Sequence, residues 1–287
     1  MNATANARVV AASPEREYAF TDADFRKVRE LVRELIGISL SESKRELVYG
    51  RLVRRVRQLG LSSFREYLGG LERGGGGELE QLCNAITTNL TAFFRERHHF
   101  EELARTLLPS IMRRNAATRR VRIWSAGCST GEEPYSIAMT VRQTLGELAG
   151  WDLRILATDV DSSVLAHAAA GFYEPGRLER VEPLCRERWF VRDPAGRYEA
   201  RAELKQLISF RRLNLMEAWP MRGPFDIIFC RNVIIYFEKD LQRDIIGRME
   251  LLQKGGDHLI LGHSESLLGV SDQYALSGRT LHRRVGT

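Results

Sequence analysis

Trp124-Ser125-Ala126-Gly127-Cys128-Ser129-Thr130-Gly131-Glu132-Glu133-Pro134-Tyr135-Ser136 decides the reading of the whole chain. Before it, Arg120-Val121-Arg122-Ile123-Trp124 alternates polar and apolar positions and predicts a strand. After it, Ile137, Ala138, Val141 and Leu145 recur at helical spacing. Two glycines and several small residues between them predict a tight strand-to-helix turn, the shape that wraps a nucleotide-like cofactor. Pro134 lacks an N–H and belongs in a helix's first turn, so the helix should start near Gly131. Glu132 and Glu133 then lie at its positive end.

That charge narrows the ligand. The dinucleotide pattern G-x-G-x-x-G is missing, and the phosphate loop fails for want of a lysine. Two carboxylates repel a pyrophosphate and suit hydroxyls, an amine or a sulfonium; alone they read equally well as complements to the helix dipole. The next strand, Leu153-Arg154-Ile155-Leu156-Ala157-Thr158-Asp159, shifts the balance. It ends in an acid about 20–30 residues beyond the glycines, where a ribose-binding carboxylate belongs. S-adenosylmethionine, a cation with a ribose diol, meets both features.

Working outward, strands and helices alternate through Phe225-Asp226-Ile227-Ile228-Phe229-Cys230 and His258-Leu259-Ile260-Leu261-Gly262, with an antiparallel pair expected around Tyr274 and Arg279–Arg284. This rhythm predicts an α/β fold: a doubly wound mixed sheet, whose ligands sit at the carboxyl ends of the strands. Gly127, Asp159, Asn214 and Arg231/Asn232 all fall there. Residues 172–205 break the rhythm with Pro175, Pro183, Pro194 and Gly196. They predict a small insertion of paired strands, including Arg188-Trp189-Phe190-Val191 and Arg197-Tyr198-Glu199-Ala200. Residues 1–17 read as a loose arm. Residues 18–90 read as a helical unit, with helices after Thr21 or Asp22, from Lys44 to Leu59, from Ser62, and from Leu79, and with Gly74 to Gly77 as a flexible connection. The remaining residues, 91–287, carry the sheet.

Composition bounds the function. The chain of 287 residues has room for a real core and carries a net charge of +6. No apolar run reaches the ~18 residues of a membrane helix, and the start shows no secretory signal pattern. Cys83, Cys128, Cys185 and Cys230 stand singly, which argues against disulfides and zinc and fits a reducing cytosol. His98 and His99, a pair without further ligands in sequence, are read as surface residues. Between positions 44 and 57 stand Lys44, Arg45, Arg51, Arg54, Arg55 and Arg57 against one acid, Glu46. A solvated helix face is the commoner meaning of such a run, yet a solvated face usually mixes both signs. The reading preferred is a docking surface for an acidic partner, formed by Lys44, Arg51, Arg54 and Arg55.

Five ordered motifs resemble one family. They are Thr88-Asn89-Leu90-Thr91-Ala92-Phe93-Phe94-Arg95-Glu96, the turn Ser125–Ser136, Ala157-Thr158-Asp159-Val160-Asp161, Cys230-Arg231-Asn232-Val233-Ile234-Ile235-Tyr236-Phe237 and Gly262-His263-Ser264-Glu265. Together they look like the CheR family, S-adenosylmethionine-dependent methyltransferases that esterify glutamates of chemotaxis receptors. The resemblance spans about residues 20–282. It implies that Asn89, Thr91 and Arg95 approach the methionine end of the cofactor, and that Glu133 or Glu132 and Gly127 contact it from the turn. It further implies that Asp159 holds the ribose, Asn214 and Leu215 meet the adenine, Arg231 and Asn232 line the pocket, and Tyr236 sits near the transferable methyl. Arg95 and Tyr236 are the catalytic positions implied, as positioners of the reacting groups. The implied partner is the receptor's glutamate-rich helical hairpin, met in the cytoplasm by a monomeric enzyme without metal or nucleic acid.

Two other functional classes fit the residues less well. A nucleic-acid methyltransferase is disfavoured because Cys230-Arg231-Asn232-Val233 stands where an amine-methylating [DN]-P-P-[YFW] motif would follow the fourth strand. A non-catalytic cofactor sensor is disfavoured by the joint presence of Arg95, Asp159, Asn232 and Tyr236.

Overall fold

The computed structural model describes residues 16–74, 76–146 and 150–286. Four helices come first: α1 (Asp22–Ile36), α2 (Arg45–Gln58), α3 (Phe64–Glu72) and α4 (Glu78–Ile86). The entry to α1 is set by a capping box. The Thr21 side chain accepts from the Asp24 amide at 3.2 Å, and the Asp24 carboxylate accepts from the Thr21 amide at 2.8 Å. Phe25, Val28, Val32 and Ile36 form its buried stripe. They pack with Val48, Leu52 and Val56 of α2 and with Phe64, Tyr67 and Leu71 of α3 into a core of their own. Helix α2 starts after a 3₁₀ turn, Glu42–Lys44, slightly later than its periodicity suggests. The expected arm lies outside the described residues apart from Arg16 and Glu17, which pair with Glu46 and Arg57. Gly75 of the expected glycine connection lies outside them as well.

A long helical rod follows. It comprises α5 (His98–Glu102), a π-helical turn (Leu103–Leu107) and α6 (Leu108–Arg114). It leads into a seven-stranded sheet of order β6-β2-β1-β7-β8-β10-β9. The parallel strands are β1 (Arg120–Ala126), β2 (Asp152–Asp159), β6 (Ile208–Arg212), β7 (Ile227–Cys230) and β8 (His258–Leu261). β10 (Leu281–Arg284) runs antiparallel to β8, and β9 (Tyr274–Gly278) antiparallel to β10, the terminal pair expected from sequence. Side-chain alternation splits the core in two. Val121, Ile123, Ile227, Phe229 and Ile260 face the rod and α7 (Glu132–Leu145), whereas Trp124, Ala126, Ile228, Cys230, Leu259 and Leu261 face α11 (Lys239–Glu250). The buried Trp124 indole is satisfied by Thr158 Oγ1 at 2.9 Å.

The chain builds outward from β1 through β2 to β6, then returns to the other side of β1 as β7. The strand order therefore reverses between β1 and β7, and the crevice at their carboxyl ends is where such sheets take ligands. After α8 (Ser162–Ala170) the insertion forms a three-stranded antiparallel sheet, β3 (Phe172–Tyr173), β5 (Tyr198–Ala200) and β4 (Phe190–Arg192), followed by α10 (Ala202–Lys205). Arg188 and Trp189, read as strand, instead end helix α9 (Pro183–Trp189). Pro183 opens that helix, where a missing N–H costs nothing.

Several contacts join the helical unit to the rest of the chain, among them Arg212 with Glu80 and Asn84 with Ser162 and Ser163. Asp161 caps α8 through the Ser163 and Val164 amides and also accepts from Thr87 Oγ1 and Asn89 Nδ2, both at 2.8 Å. Gly37 ends α1 at φ 74°, where a Cβ would stand 2.6 Å from Leu241 and 2.8 Å from Met216.

Candidate functional site

A cavity of 270 Å³ opens where the sheet's strand order reverses, closed on one side by the helical unit. Gly127, Ser129 and Glu133 contribute from the β1–α7 turn, Thr158 and Asp159 from β2, and Arg231 to Val233 from the end of β7. Residues 87–92 and Arg95 wall the opposite side, with Ile36 to Ser41, Lys44 and Leu47 above. All the residues named from sequence as cofactor contacts border it except Glu132.

The turn is held open by backbone geometry. Gly127 sits at φ 81°, and a Cβ there would stand 2.3 Å from Val233 Cγ2, so only glycine fits. Its amide and that of Cys128 both donate to Thr158 O, which pins the turn to β2. Gly131, at φ 96°, is the N-cap of α7, and a Cβ there would meet Tyr173 Oη at 2.7 Å. Ser129 lies at φ 48° and turns its amide onto Asp159 Oδ2 at 2.8 Å. The other Asp159 oxygen accepts from the Asp161 amide at 3.1 Å. Each carboxylate oxygen keeps a lone pair for a ligand hydroxyl. Burial pushes the Asp159 carboxyl up to about 6, while the amide hydrogen bonds work against that rise.

The two adjacent glutamates diverge. Glu133 borders the cavity; its Oε1 accepts from Ser125 Oγ at 2.7 Å and its Oε2 from Arg231 Nη1 at 2.9 Å. Burial raises its pKa and the Arg231 charge opposes the rise. Glu132 points the other way. It is fully buried, pairs with Arg177 of the insertion, and accepts from Thr130 Oγ1 at 2.6 Å. Consecutive residues at a helix start lie about 100° apart, so only one can look into the crevice.

Arg231 reaches across three segments. Besides Glu133, its Nη2 donates to Arg95 O at 2.5 Å and lies 3.5 Å from Glu96 Oε2, and its guanidinium sits 5.7 Å from the Phe100 ring centroid. The segment it holds is contorted, with Phe94 at φ 51° and Glu96 at φ 58°. The Arg95 side chain itself donates to Leu90 O at 2.8 Å and so closes the 90–95 loop. Asn89 borders the cavity, but its amide nitrogen is committed to Thr87 and Asp161. Asn214 likewise spends its amide on Leu35 O at 2.7 Å. Tyr236 closes a 3₁₀ turn (Ile234–Tyr236) whose carbonyl accepts from the Ser39 amide at 2.9 Å.

Glu265 has a role that its motif did not disclose. Its carboxylate accepts from the amides of Asn232, Val233, Ile234 and Gly262 at 2.7–2.9 Å. It thereby fixes Asn232 at φ 58° and aims the loop that carries Tyr236. An acid just after a strand was visible in sequence, but its partners lie about thirty residues earlier and only the fold joins them.

The basic face of α2 is reduced. Arg51 donates to Ile86 O at 2.5 Å, the last carbonyl of α4, and to Thr87 O at 2.8 Å just beyond it. Arg55 forms a two-pronged pair with Glu78 at 3.0 and 2.6 Å. Arg45 and Arg57 pair with Asp22 and Glu17. Lys44 and Arg54 are exposed and have no ion-pair partner among the described residues. The one-sign run therefore does not survive as a face of four, because its acids arrive from elements distant in sequence.

Comparison with known proteins agrees with this architecture. The family description "CheR methyltransferase, all-alpha domain" matches residues 23–87, and "CheR methyltransferase, SAM binding domain" matches residues 89–282. Chemotaxis protein methyltransferase 2 of Pseudomonas aeruginosa is 45% identical, covering 93% of this chain and 95% of that protein. A chemotaxis protein methyltransferase of Escherichia coli is 43% identical, covering 92% and 91%. A probable one from Rhizobium etli is 47% identical over 81% and 88%. With a carboxylate on β2, a glycine turn and a helical cover all meeting at one crevice, the chain belongs to the CheR family of S-adenosylmethionine-binding chemotaxis methyltransferases.

Proposed function

We propose that this enzyme esterifies the side-chain carboxylate of glutamates on a chemotaxis receptor, in the cytoplasm, leaving S-adenosylhomocysteine and a glutamate methyl ester. One observation carries the choice of acceptor: the described residues that line the cavity include no imidazole or thiol to take up a proton, and both of its carboxylates are held by other groups. No histidine or cysteine borders it; Glu133 is locked between Ser125 and Arg231, and Asp159 rests on two amides. An amine or alcohol acceptor has to lose a proton in the reaction. A carboxylate, with an ordinary pKa of about 4.3, is already ionised.

The cavity's polar groups fit the cofactor. Asp159 offers two open lone pairs to the ribose diol, Glu133 supplies negative charge, and the absence of a Cβ at Gly127 keeps the turn thin. When bound, S-adenosylmethionine supplies a methyl activated by a sulfonium and taken by in-line displacement. The protein's task is positioning, an effect worth up to ~7–11 kcal/mol in well-oriented systems. Arg95 and Tyr236 both border the cavity and act as light holders of the acceptor carboxylate. The helical unit lies over the crevice and excludes water, which strengthens those contacts. Exposed Leu47 and Leu90 border the cavity together with Lys44, and Arg54 is exposed on the same helix as Leu47, a surface suited to an acidic helix with apolar flanks. The turn Asp193-Pro194-Ala195-Gly196 in the insertion is short, and we assign receptor docking to this rim and not to a peptide tether there.

Transfer of labelled methyl to receptor-bearing membranes should give label that alkali releases as methanol. Label stable to alkali would mean methylated nitrogen and would refute the glutamate assignment. In the same assay Arg54→Glu should raise KM for receptor about three- to tenfold, the scale of one exposed charge reversal, and leave cofactor affinity unchanged. Arg55→Gln should instead lower stability, since it strands the half-buried Glu78.

Asp159 makes cofactor binding depend on pH. The ribose diol donates to the ionised carboxylate, so affinity should fall about tenfold per unit as pH drops below about 6. Asp159→Asn should weaken binding by roughly 10–100-fold, the worth of charge-assisted hydrogen bonds, and flatten that pH slope. Ionising a buried acid disfavours the fold, so the ligand-free protein should also lose stability as pH rises from 3.8 toward about 6. Calorimetry over that range checks both signs.

A further inference from the structure

Behind Arg231, on the side away from the cavity, three buried polar atoms converge without a hydrogen-bond partner: Glu96 Oε2, His98 Nε2 and His99 Nδ1. Donor atoms of these three residues lie within 4.8 Å of one another. The protonation of His99 follows from its other nitrogen. Nε2 lies 2.8 Å from Thr280 Oγ1, and Thr280 Oγ1 itself donates to Arg279 O at 2.8 Å. With the hydroxyl proton directed to Arg279 O, Nε2 carries the hydrogen and Nδ1 presents a lone pair. That lone pair faces Glu96 Oε2 at 3.7 Å, too far for a hydrogen bond. The side chains are 2% and 12% exposed, so solvent does little to satisfy them.

Lone pairs that face each other in a buried place call for a cation. We propose that Glu96, His98 and His99 bind a zinc-class divalent ion. Two imidazoles and a carboxylate suit Zn²⁺ and its neighbours over Mg²⁺ or Ca²⁺, which prefer oxygen. Ligand bonds of about 2.0–2.2 Å in a tetrahedral site place donors roughly 3.3–3.6 Å apart, near the Glu96–His99 separation. His98 is half-buried, its ring 4.1 Å from that of His99, and reaches the ion by turning about its own side chain. The His99–Thr280–Arg279 chain is the outer hydrogen bonding that fixes a metal-binding histidine's tautomer. Glu96 Oε1 meanwhile faces exposed His263 Nδ1 at 3.0 Å, and that ring or a water completes the coordination. Arg231 shares Glu96 Oε2 at 3.5 Å and competes for its charge, which sets the affinity in the micromolar range and not at that of a permanent structural zinc. Occupancy ties the 94–99 segment, and with it Arg95, to the loop after β8.

The test uses the full chain, stripped with a chelator and desalted. ZnCl₂ titrated against a chromophoric zinc chelator should reveal one site, and zinc should raise the melting temperature. His98→Gln and His99→Gln should each weaken binding at least about tenfold, since losing a ligand costs no less than losing an outer-shell partner. His167→Gln, an exposed histidine on α8, should leave it unchanged. If His99→Gln fails to fold, the half-buried His98→Gln decides. Co²⁺ in place of zinc should give visible bands without thiolate charge transfer, which separates this site from the four cysteines. Failure to take up one equivalent of zinc in the titration, binding indifferent to both substitutions, or a thiolate band would overturn the proposal.

Discussion

The site depends on a single buried cation. Arg231, at the end of β7, is 95% removed from solvent, and its guanidinium is divided among the Glu133 carboxylate, the Arg95 carbonyl and Glu96. Those groups come from the first turn of α7 and from the segment that enters the helical rod. Taking such charges out of water is expensive, and the attraction between them repays it only when the remaining donors are also satisfied. The arrangement is therefore weak support for extra stability. What it secures is geometry: three segments that meet only at the crevice are locked to one another there.

Other contacts repeat the pattern around the rim. Glu265 gathers four amides and fixes the loop that carries Asn232 and Tyr236. Asp161 holds Thr87 and Asn89 while capping α8. Glu132, through Arg177, and Tyr173, through its hydrogen bond to Thr130 O at 2.8 Å, fasten the insertion to the glycine turn. Each is a carboxylate or hydroxyl that meets at least one group from a segment remote in sequence. The cavity wall is thus held largely by hydrogen bonds within the protein, while the two Asp159 oxygens keep lone pairs for a ligand.

Much of this was legible in the residues. Strand alternation and apolar runs located the sheet, because a parallel strand buried on both faces has few other ways to read. Gly127, Pro134 and Asp159 marked the crevice, since each answers a local demand: a positive φ, a helix start, an acid at a strand end. What stayed hidden depended on long-range pairing. Nothing within the run 44–57 says that Arg51 would cap α4 or that Glu78 would meet Arg55. Nothing near Glu132 says that it faces the insertion while Glu133 faces the cavity. The helix α9 was read in part as strand, because Trp189 and Phe190 favour strands and the opening proline weighed less.

Arg231 acts as a lock on geometry, and a double-mutant cycle with Glu133 tests that most directly. Arg231→Met keeps the bulk and removes the charge, so it should cost about 3–5 kcal/mol of stability by stranding buried Glu133. Adding Glu133→Gln should restore most of that loss, with coupling of 0.5–3 kcal/mol or more, while S-adenosylmethionine binding measured by calorimetry stays about 100-fold or more weakened. A single substitution costing under about 1 kcal/mol, or a double mutant that binds the cofactor normally, would contradict it.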